Sequence, residues 1–364
     1  MKVVVDKEVL SKGIQTIQNI ISGRSTLPIL SNILFEAGDD QIKLSGTDLE
    51  IAITTTIPAK VEEKGTTTIP AKRFGDLIRK LPNEPVELNV KKNHACTIDY
   101  GRGKCKMMGL PPEEFPKLPT VSKENPLELP QSTLLEMLTL TSFAISKDET
   151  RYILNGVYFS TEGGKLRLVA TDGRRLAMMD RPTNANGGTK KLEAIIPTKA
   201  IVELQRLLEE SGTVKVWFTE NQVRFEIGST VMVARTIEGE YPNYQQVVPP
   251  EVPEKVRLNR EELLQSLERV SLWTTTESQA VKFNVGKNQL VVSKQTAEGE
   301  ADDKIGAEYK GKDVEVGFNP TYLSDVLKHL PQDTLDMELP AADRAGVIRT
   351  KDQYVYIVLP MQLT

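Results

Sequence analysis

The chain has 364 residues, of which 39% are hydrophobic and 26% charged, with a formal net charge of −4. That length exceeds one ordinary core, because domains usually run to about 100–150 residues, and the composition is that of a globular protein rather than a disordered one. The acidic balance excludes a generally basic nucleic-acid coat while leaving room for a local basic surface, and no segment reaches the ~20 apolar residues of a membrane span.

The opening stretch Met1–Asp6 lacks an apolar run long enough for a signal peptide, so a cytoplasmic address is the expectation. Asp6 is placed to cap a helix carrying Val9, Leu10, Ile14, Ile17 and Ile21. Strand-type content follows at Ile33–Phe35 and Ile42–Leu44. A second, amphipathic helix is entered from Ile69-Pro70. Its residues Phe74, Leu77, Ile78 and Leu81 fall at i, i+3, i+4 and i+7, on one face.

This order then recurs. Ser132 or Thr133 is placed to start a helix with Leu134, Leu135 and Leu138, and strands are expected around Val157–Phe159 and Leu166–Val169. Asn259, with Glu262 three residues on, has the form of a capping box before Leu263, Leu264 and Leu267. Strands follow at Val281–Val285 and Leu290–Val292. The strand–proline–helix unit returns at Ile196-Pro197, leading to Ile201, Leu204 and Leu208. It returns again at Phe318-Asn319-Pro320, leading to Leu323, Val326, Leu327 and Leu330. The copies start about 127 and 122 positions apart. After the middle copy, Val214–Phe218 and Val223–Ile227 read as a closing hairpin. The expected architecture is three similar α+β domains at 1–120, 128–246 and 252–364, each with two helices against antiparallel sheets. Two proline-rich stretches separate them, Pro111 to Pro126 and Pro242 to Pro253, and these are expected to be extended and stiff.

Enzyme motifs are sparse. The chain has no Gly-x4-Gly-Lys-Ser/Thr, Gly-x-Ser-x-Gly or His-Glu-x-x-His motif. Its two histidines, His94 and His329, lie in different thirds and read as solvated surface residues. Neither a catalytic residue, a metal site nor a cofactor is expected. Asp48 and Asp172 each follow a threonine at the end of a strand, where a turn-forming role fits better than a carboxylate pair. Cys96 and Cys105 flank a turn and are expected as reduced thiols, although a bridge is conceivable. In the loop Val169–Leu176, Arg174 and Arg175 admit two readings: an anion-holding pair, or a hairpin corner with one arginine paired to a nearby acid. The repeated helices carry Lys72, Arg73, Arg79 and Lys80, then Lys199 and Arg206, then Lys328 and His329 on their polar faces. Aromatics are only 5% and are not interleaved with these cations, which favours phosphate contact with a duplex over base stacking.

Several motifs resemble those of the bacterial beta sliding clamp family, the processivity subunits of the replicative DNA polymerase III. They are Gly23–Leu30, Gly46-Thr47-Asp48-Leu49-Glu50, Arg151–Gly156, Ala170–Leu176 and Val358-Leu359-Pro360-Met361-Gln362-Leu363, and the resemblance spans the chain. It implies a DNA-replication protein of three clamp domains that dimerises head to tail into a six-domain ring around double-stranded DNA. Twelve helices packed ~10 Å apart give a circumference of roughly 120 Å and a diameter of roughly 38 Å. That is ample for a duplex of roughly 20 Å. By position, the resemblance implies DNA contacts at Arg24, Arg73, Tyr152 and Lys199. A partner-peptide pocket between the second and third domains would use Leu154, Thr171, Gly173, Arg174, Arg175, Leu176, Pro242, Gln246, Val247, Val358, Leu359, Pro360 and Met361. It would take short motifs from the polymerase, the clamp loader and repair proteins. The ring interface would use Cys105, Met107, Leu272 and Trp273. The chain departs from the family pattern at Arg174, where histidine is expected, and at Gln246 and Gln362, where arginine is common. Ile153 replaces a second tyrosine, and Thr364 extends the end. The competing readings are a monomeric tandem-repeat enzyme acting on an anionic substrate through Arg174 and Arg175, and a peptide scaffold that never encloses DNA.

Overall fold

The computed structural model describes residues 1–21, 26–119, 125–183 and 192–363. Three repeats of one element order account for the chain. The first comprises β1 (Lys2–Val5), α1 (Lys7–Gln18), β2 (Asn32–Gly38), β3 (Gln41–Thr47), β4 (Ile51–Pro58), β5 (Lys60–Glu63), β6 (Gly65–Pro70), α2 (Ala71–Lys80), β7 (Val86–Val90), β8 (Ala95–Asp99) and β9 (Lys104–Met108). The second comprises β10 (Leu127–Pro130), α3 (Gln131–Thr141), β11 (Gly156–Glu162), β12 (Lys165–Thr171), β13 (Arg175–Pro182), β14 (Leu192–Pro197), α4 (Thr198–Leu207), β15 (Thr213–Phe218), β16 (Gln222–Ile227) and β17 (Thr230–Arg235). The third comprises β18 (Val256–Asn259), α5 (Arg260–Ser271), β19 (Val281–Gly286), β20 (Gln289–Thr296), β21 (Gly299–Glu308), β22 (Val314–Phe318), α6 (Pro320–His329), β23 (Thr334–Glu338), β24 (Gly346–Arg349) and β25 (Tyr354–Val358). Among the described residues, only β5 lacks a counterpart in the other two.

Local chemistry sets the helix starts. Asp6 Oδ1 accepts from the amides of Glu8 and Val9 at 2.9 and 3.2 Å, and Asn259 Oδ1 accepts from Glu262 N at 3.0 Å. Asn319 caps α6 through Thr321 N at 2.9 Å. The start of α3 differs from expectation. It begins at Gln131 directly after Pro130, which leaves Ser132 and Thr133 inside the first turn rather than ahead of it. The strand–proline entry used by α2, whose cap residue Pro70 makes no side-chain hydrogen bond, operates here too.

Compactness divides the chain into two units, Met1–Ser132 with Val202–Thr236, and Thr133–Ile201 with Ile237–Thr364. The division cuts through the middle repeat because strands are shared across repeat boundaries. In the first unit one sheet runs β5-β1-β7-β8-β9 and another runs β10-β15-β16-β17-β4-β3-β2-β6. The join is β17 against β4, antiparallel, from Thr230 opposite Thr55 to Ala234 opposite Ile51. Helix α1 lies so close to β3 that a Cβ on Gly13 would sit 2.9 Å from Leu44 Cδ1. Phe35 and Phe74 meet edge to face at 5.5 Å in the same core.

The second unit holds one sheet of twelve strands, β14-β11-β12-β13-β25-β24-β23-β18-β21-β20-β19-β22. Its join is the counterpart of the first: β25 pairs with β13, from Arg175 opposite Val358 to Met179 opposite Tyr354. The closing strand of one repeat thus adds to the strand that follows the Thr-Asp turn of the repeat before it. Two strands in equivalent places remain, although the turn before the second, Thr296–Gly299, has no aspartate. β9, the closing strand of the first repeat, is a sheet edge. β21 pairs with β20 along Gly299–Gly306 but with β18 only at Ala307 and Glu308, so one side of its first eight residues has no partner among the described residues.

Both cysteines are free. Cys96 faces Met107 across the β8–β9 ladder, while Cys105 faces Ile98, so they sit diagonally rather than opposite. Burial pushes the Cys96 thiol up to about 12, which keeps it protonated and unreactive at neutral pH.

Replacing Asp6 with alanine orphans two amides at the start of α1. It is expected to cost about 1 kcal/mol in denaturant unfolding, with Asp6→Asn losing much less.

Candidate functional site

The Thr-Asp turn between β12 and β13 organises the site. Thr171 Oγ1 donates to the Arg175 carbonyl at 2.6 Å and accepts from Gly173 N at 3.0 Å. Asp172 Oδ1 accepts from the amides of Arg174 and Arg175 at 2.9 and 3.0 Å, so the aspartate is a turn former, as its sequence setting implied. Gly173 sits at φ 85°, a region glycine enters at little cost.

This turn drives the side chain of Arg175 inward, where it is 7% exposed. Its guanidinium donates to Asp172 Oδ2 at 3.1 Å, Asp325 Oδ2 at 2.6 Å and the Phe143 carbonyl at 2.8 Å, and it lies 4.5 Å from the Tyr322 ring centroid. Burial works against its charge, but the hydrogen bond to Asp325 and the surrounding negative groups outweigh it and raise the pKa further. Three of its five N–H donors are committed to these partners and the group is buried, which turns it away from a role in holding a substrate anion. Of the two readings of the arginine pair, the arginine bound to nearby acid is the one observed, with Arg174 exposed beside it.

Next to the turn lies a cavity of about 190 Å³, lined by the Thr-Asp turn, the Pro242–Val247 stretch and the end of β25. Its floor is built from Leu154, Leu176 and Ile357. They pack into a cluster with Tyr158, Val169, Ile195, Tyr241 and Val347. Tyr158 and Tyr241 stack with centroids 4.8 Å apart, and desolvation holds both phenols neutral, with pKa values well above the ordinary range. Val247 and Leu359 stand on the rim with 58% and 45% of their surface exposed. Tyr244 and Asn243 complete the wall. A concave apolar seat with a few polar groups at its edge suits the side chains of an extended peptide.

Of the residues the sequence placed here, Leu154, Thr171, Gly173, Arg174, Arg175, Leu176, Pro242, Val247 and Leu359 line the cavity. Gln246, Val358, Pro360 and Met361 do not. Val358 is fully buried, held in the sheet between Arg175 and Gly346. Met361 donates to the Gly317 carbonyl at 2.8 Å, which draws the chain after Pro360 onto β22. Gln246 is exposed on the 3₁₀ turn Tyr244–Val247. Sequence reasoning missed Asn243, Tyr244 and Ile357. Strand alternation offered a signal for Ile357, since it lies two residues before Leu359 and shares its face.

The remaining site residues are dispersed. Arg73 is exposed on α2, Tyr152 is 56% exposed, and Lys199 is exposed at the start of α4. Arg24 lies outside the described residues, as does Thr364. The polar-face cations differ between repeats. Arg79 bonds to Asp76. Arg206 pairs with Glu203 at 2.8 Å and also donates to the Gln15 and Thr16 carbonyls. Lys328 lies 3.5 Å from Glu268. His329 is exposed but not merely solvated: it stacks on Phe143 at 5.0 Å. His94 is half-buried in a left-handed turn at φ 60°.

Cys105 and Met107 are half-buried on the edge strand β9. Leu272 is 82% and Trp273 37% exposed just after α5, and the Trp273 ring covers Gly299, where a Cβ would come within 2.5 Å of it. That places Trp273 at the start of β21. No group of three or more His, Cys, Asp or Glu among the described residues could hold a metal ion, and no described helix is long and apolar enough to cross a membrane.

Tandem α+β repeats welded through shared sheets, with an apolar seat at one repeat junction, define a binding scaffold rather than a catalytic centre. Residues 1–119, 128–243 and 245–362 match the models of the N-terminal, central and C-terminal domains of the DNA polymerase III beta subunit. The chain belongs to that family, the beta sliding clamps. It is 32% identical over 371 residues to the beta sliding clamp of Escherichia coli K12, covering all of both proteins. To that of Chlamydia muridarum it is 30% identical over 364 residues, covering 100% of this chain and 99% of the relative. The DNA polymerase III subunit beta of Pseudomonas aeruginosa superposes with a TM-score of 0.95 at 29% identity, and the sliding clamp of Bacillus subtilis with 0.95 at 28%. Both matches cover 100% of each chain. The monomeric-enzyme reading has no support from these relatives or from Arg175.

Truncating Arg175 to alanine leaves Asp172 and Asp325 without their buried counter-ion. It is expected to destabilise the protein by about 3–5 kcal/mol in chemical denaturation. Arg174→Ala, at an exposed position, is expected to stay within about 0.5 kcal/mol of the parent.

Proposed function

We propose that two copies of this chain close into a ring that encircles double-stranded DNA in the cytoplasm and tethers the replicative polymerase, the clamp loader and repair proteins to it. Its domains would be 1–120, 128–246 and 252–364. The observation that carries the reading is the unused junction. The fold joins successive repeats by β17 on β4 and by β25 on β13, and it leaves β9 and β21 as the two halves of a third join. One chain cannot use them in the same way without closing on itself after three repeats. A partner can supply them head to tail, twice, which closes a ring of six.

The two edges are complementary. On β9, Lys104 and Lys106 are exposed while Cys105 and Met107 are half-buried. On β21, Glu300 and Asp302 are exposed while Ala301 and Gly299, the latter covered by the Trp273 ring, are half-buried. Pairing would set lysines against acids on one face and Cys105 and Met107 against Leu272 and Trp273 on the other. An open edge of this length is otherwise a liability that folded proteins cover.

DNA would be held by enclosure, with Arg24, Arg73, Tyr152 and Lys199 making weak contacts that carry no sequence information. Partners would dock in the cavity lined by Leu154, Leu176, Val247 and Leu359, with Gln246, Pro360 and Met361 extending the contact beyond it.

Two outcomes test these assignments. Reversing Lys104 and Lys106 to glutamate is expected to give monomers in sedimentation at micromolar concentration, and adding Glu300→Lys with Asp302→Lys to the same chain is expected to restore the dimer. A dimer that survives the first change would place the interface elsewhere. Val247→Asp and Leu359→Asp, both on the exposed rim, are expected to weaken a peptide from the organism's own replicative polymerase by about tenfold or more in calorimetry, the effect of ~1.4 kcal/mol. Thermal unfolding should be unchanged.

A further inference from the structure

The junction of the first and second repeats holds a second cavity, of about 200 Å³, built by the same rule as the first. Its turn is a copy in atomic detail. Thr47 Oγ1 donates to the Ile51 carbonyl at 2.8 Å and accepts from Leu49 N at 3.0 Å. Asp48 Oδ1 accepts from the amides of Glu50 and Ile51 at 3.0 and 2.7 Å. The neighbouring strand is anchored identically. Arg235 N donates to the Glu50 carbonyl at 2.9 Å, just as Leu359 N donates to the Arg174 carbonyl at 2.9 Å. Pro116–Pro119 forms the wall that Pro242–Val247 forms in the other cavity.

The chemistry of the lining has changed. Arg235 stands where the first cavity has Leu359, Ala52 where it has Leu176, and Glu50 where it has Arg174. Lys117 and Arg235 are exposed on this lining, and neither forms an ion pair among the described residues. Leu49 takes the place of Gly173 and keeps its left-handed backbone, at φ 78°, with 48% of its surface exposed. A leucine held there is strained and gains little burial.

We propose that this cavity is a second peptide-docking site, taking a short extended segment of a partner protein in which an acidic residue adjoins an apolar one. The apolar side chain would rest on Leu49, Leu118 and Val233, and the carboxylate would bridge Lys117 and Arg235. A nucleic-acid strand fits less well, because no lining residue is aromatic to stack on a base. The site stands apart from the cavity at Leu154 and Leu176 and does not depend on what binds there.

The test is methyl NMR on the full-length protein, titrated with acetyl-Leu-Asp-Leu-Asp amide and, separately, with its Leu-Asn-Leu-Asn analogue. The expected result is saturable shifts at the methyls of Leu49, Ile51, Leu118 and Val233, with the asparagine peptide about fivefold weaker or worse. Lys117→Glu with Arg235→Glu should weaken the acidic peptide by about tenfold. Lys117→Glu alone, on the exposed connector, should show a partial loss with the rest of the spectrum unmoved. Shifts confined to Leu154 and Leu176, equal binding of both peptides, or stronger shifts with an octathymidylate would each overturn the proposal.

Discussion

One interaction underlies everything else in this fold: the closing strand of a repeat adds, antiparallel, to the strand following the Thr-Asp turn of the repeat before it. β17 on β4 and β25 on β13 are the two instances within the chain. Backbone pairing of this kind leaves no freedom of register once side chains alternate between core and solvent. It also explains why the compact units cut through the middle repeat instead of falling at the proline-rich connectors. The connectors lie over these joins, and the ladder of hydrogen bonds makes them.

The same join creates the cavities. Where the added strand ends, its last residues, the Thr-Asp turn and the proline-rich stretch line a hollow. At the later junction the hollow is apolar, floored by Leu154, Leu176 and Ile357 and stiffened from beneath by Arg175 bound to Asp172 and Asp325. At the earlier junction Ile51 occupies the position of Arg175. Identical backbone construction with different side chains is how one repeat can yield two surfaces of different specificity.

Much of this was legible in the sequence, and the reason is locality. The faces of α2 and α6 follow from spacing alone, since Phe74, Ile78, Leu323, Val326 and Leu327 are all buried as their periodicity requires. Asp6 and Asn259 cap the helices they precede. Asp48 and Asp172 make the turns expected of them, because a Thr-Asp turn is decided within four residues. What sequence spacing could not reach is long-range. Arg175 meets Asp325 across 150 positions, and nothing near either residue announces the pair. The β17–β4 ladder joins residues about 175 positions apart, such as Thr55 and Thr230. Cavity membership was legible only in part. Resemblance by position placed Val358, Pro360 and Met361 on the lining, whereas alternation along β25 buries Val358 and the bond to Gly317 carries Met361 away.

The central claim of the proposed ring is topological: DNA would be retained because two copies of the chain close around it, not because the surface grips it. The most direct measurement loads the protein onto nicked circular duplex with its clamp loader, then linearises the DNA and follows what remains bound at moderate salt. Retention on the circle with rapid loss from free ends is the predicted result, since weak phosphate contacts let a closed ring slide. Equal retention on circular and linear DNA would mean ordinary surface binding and would contradict the account.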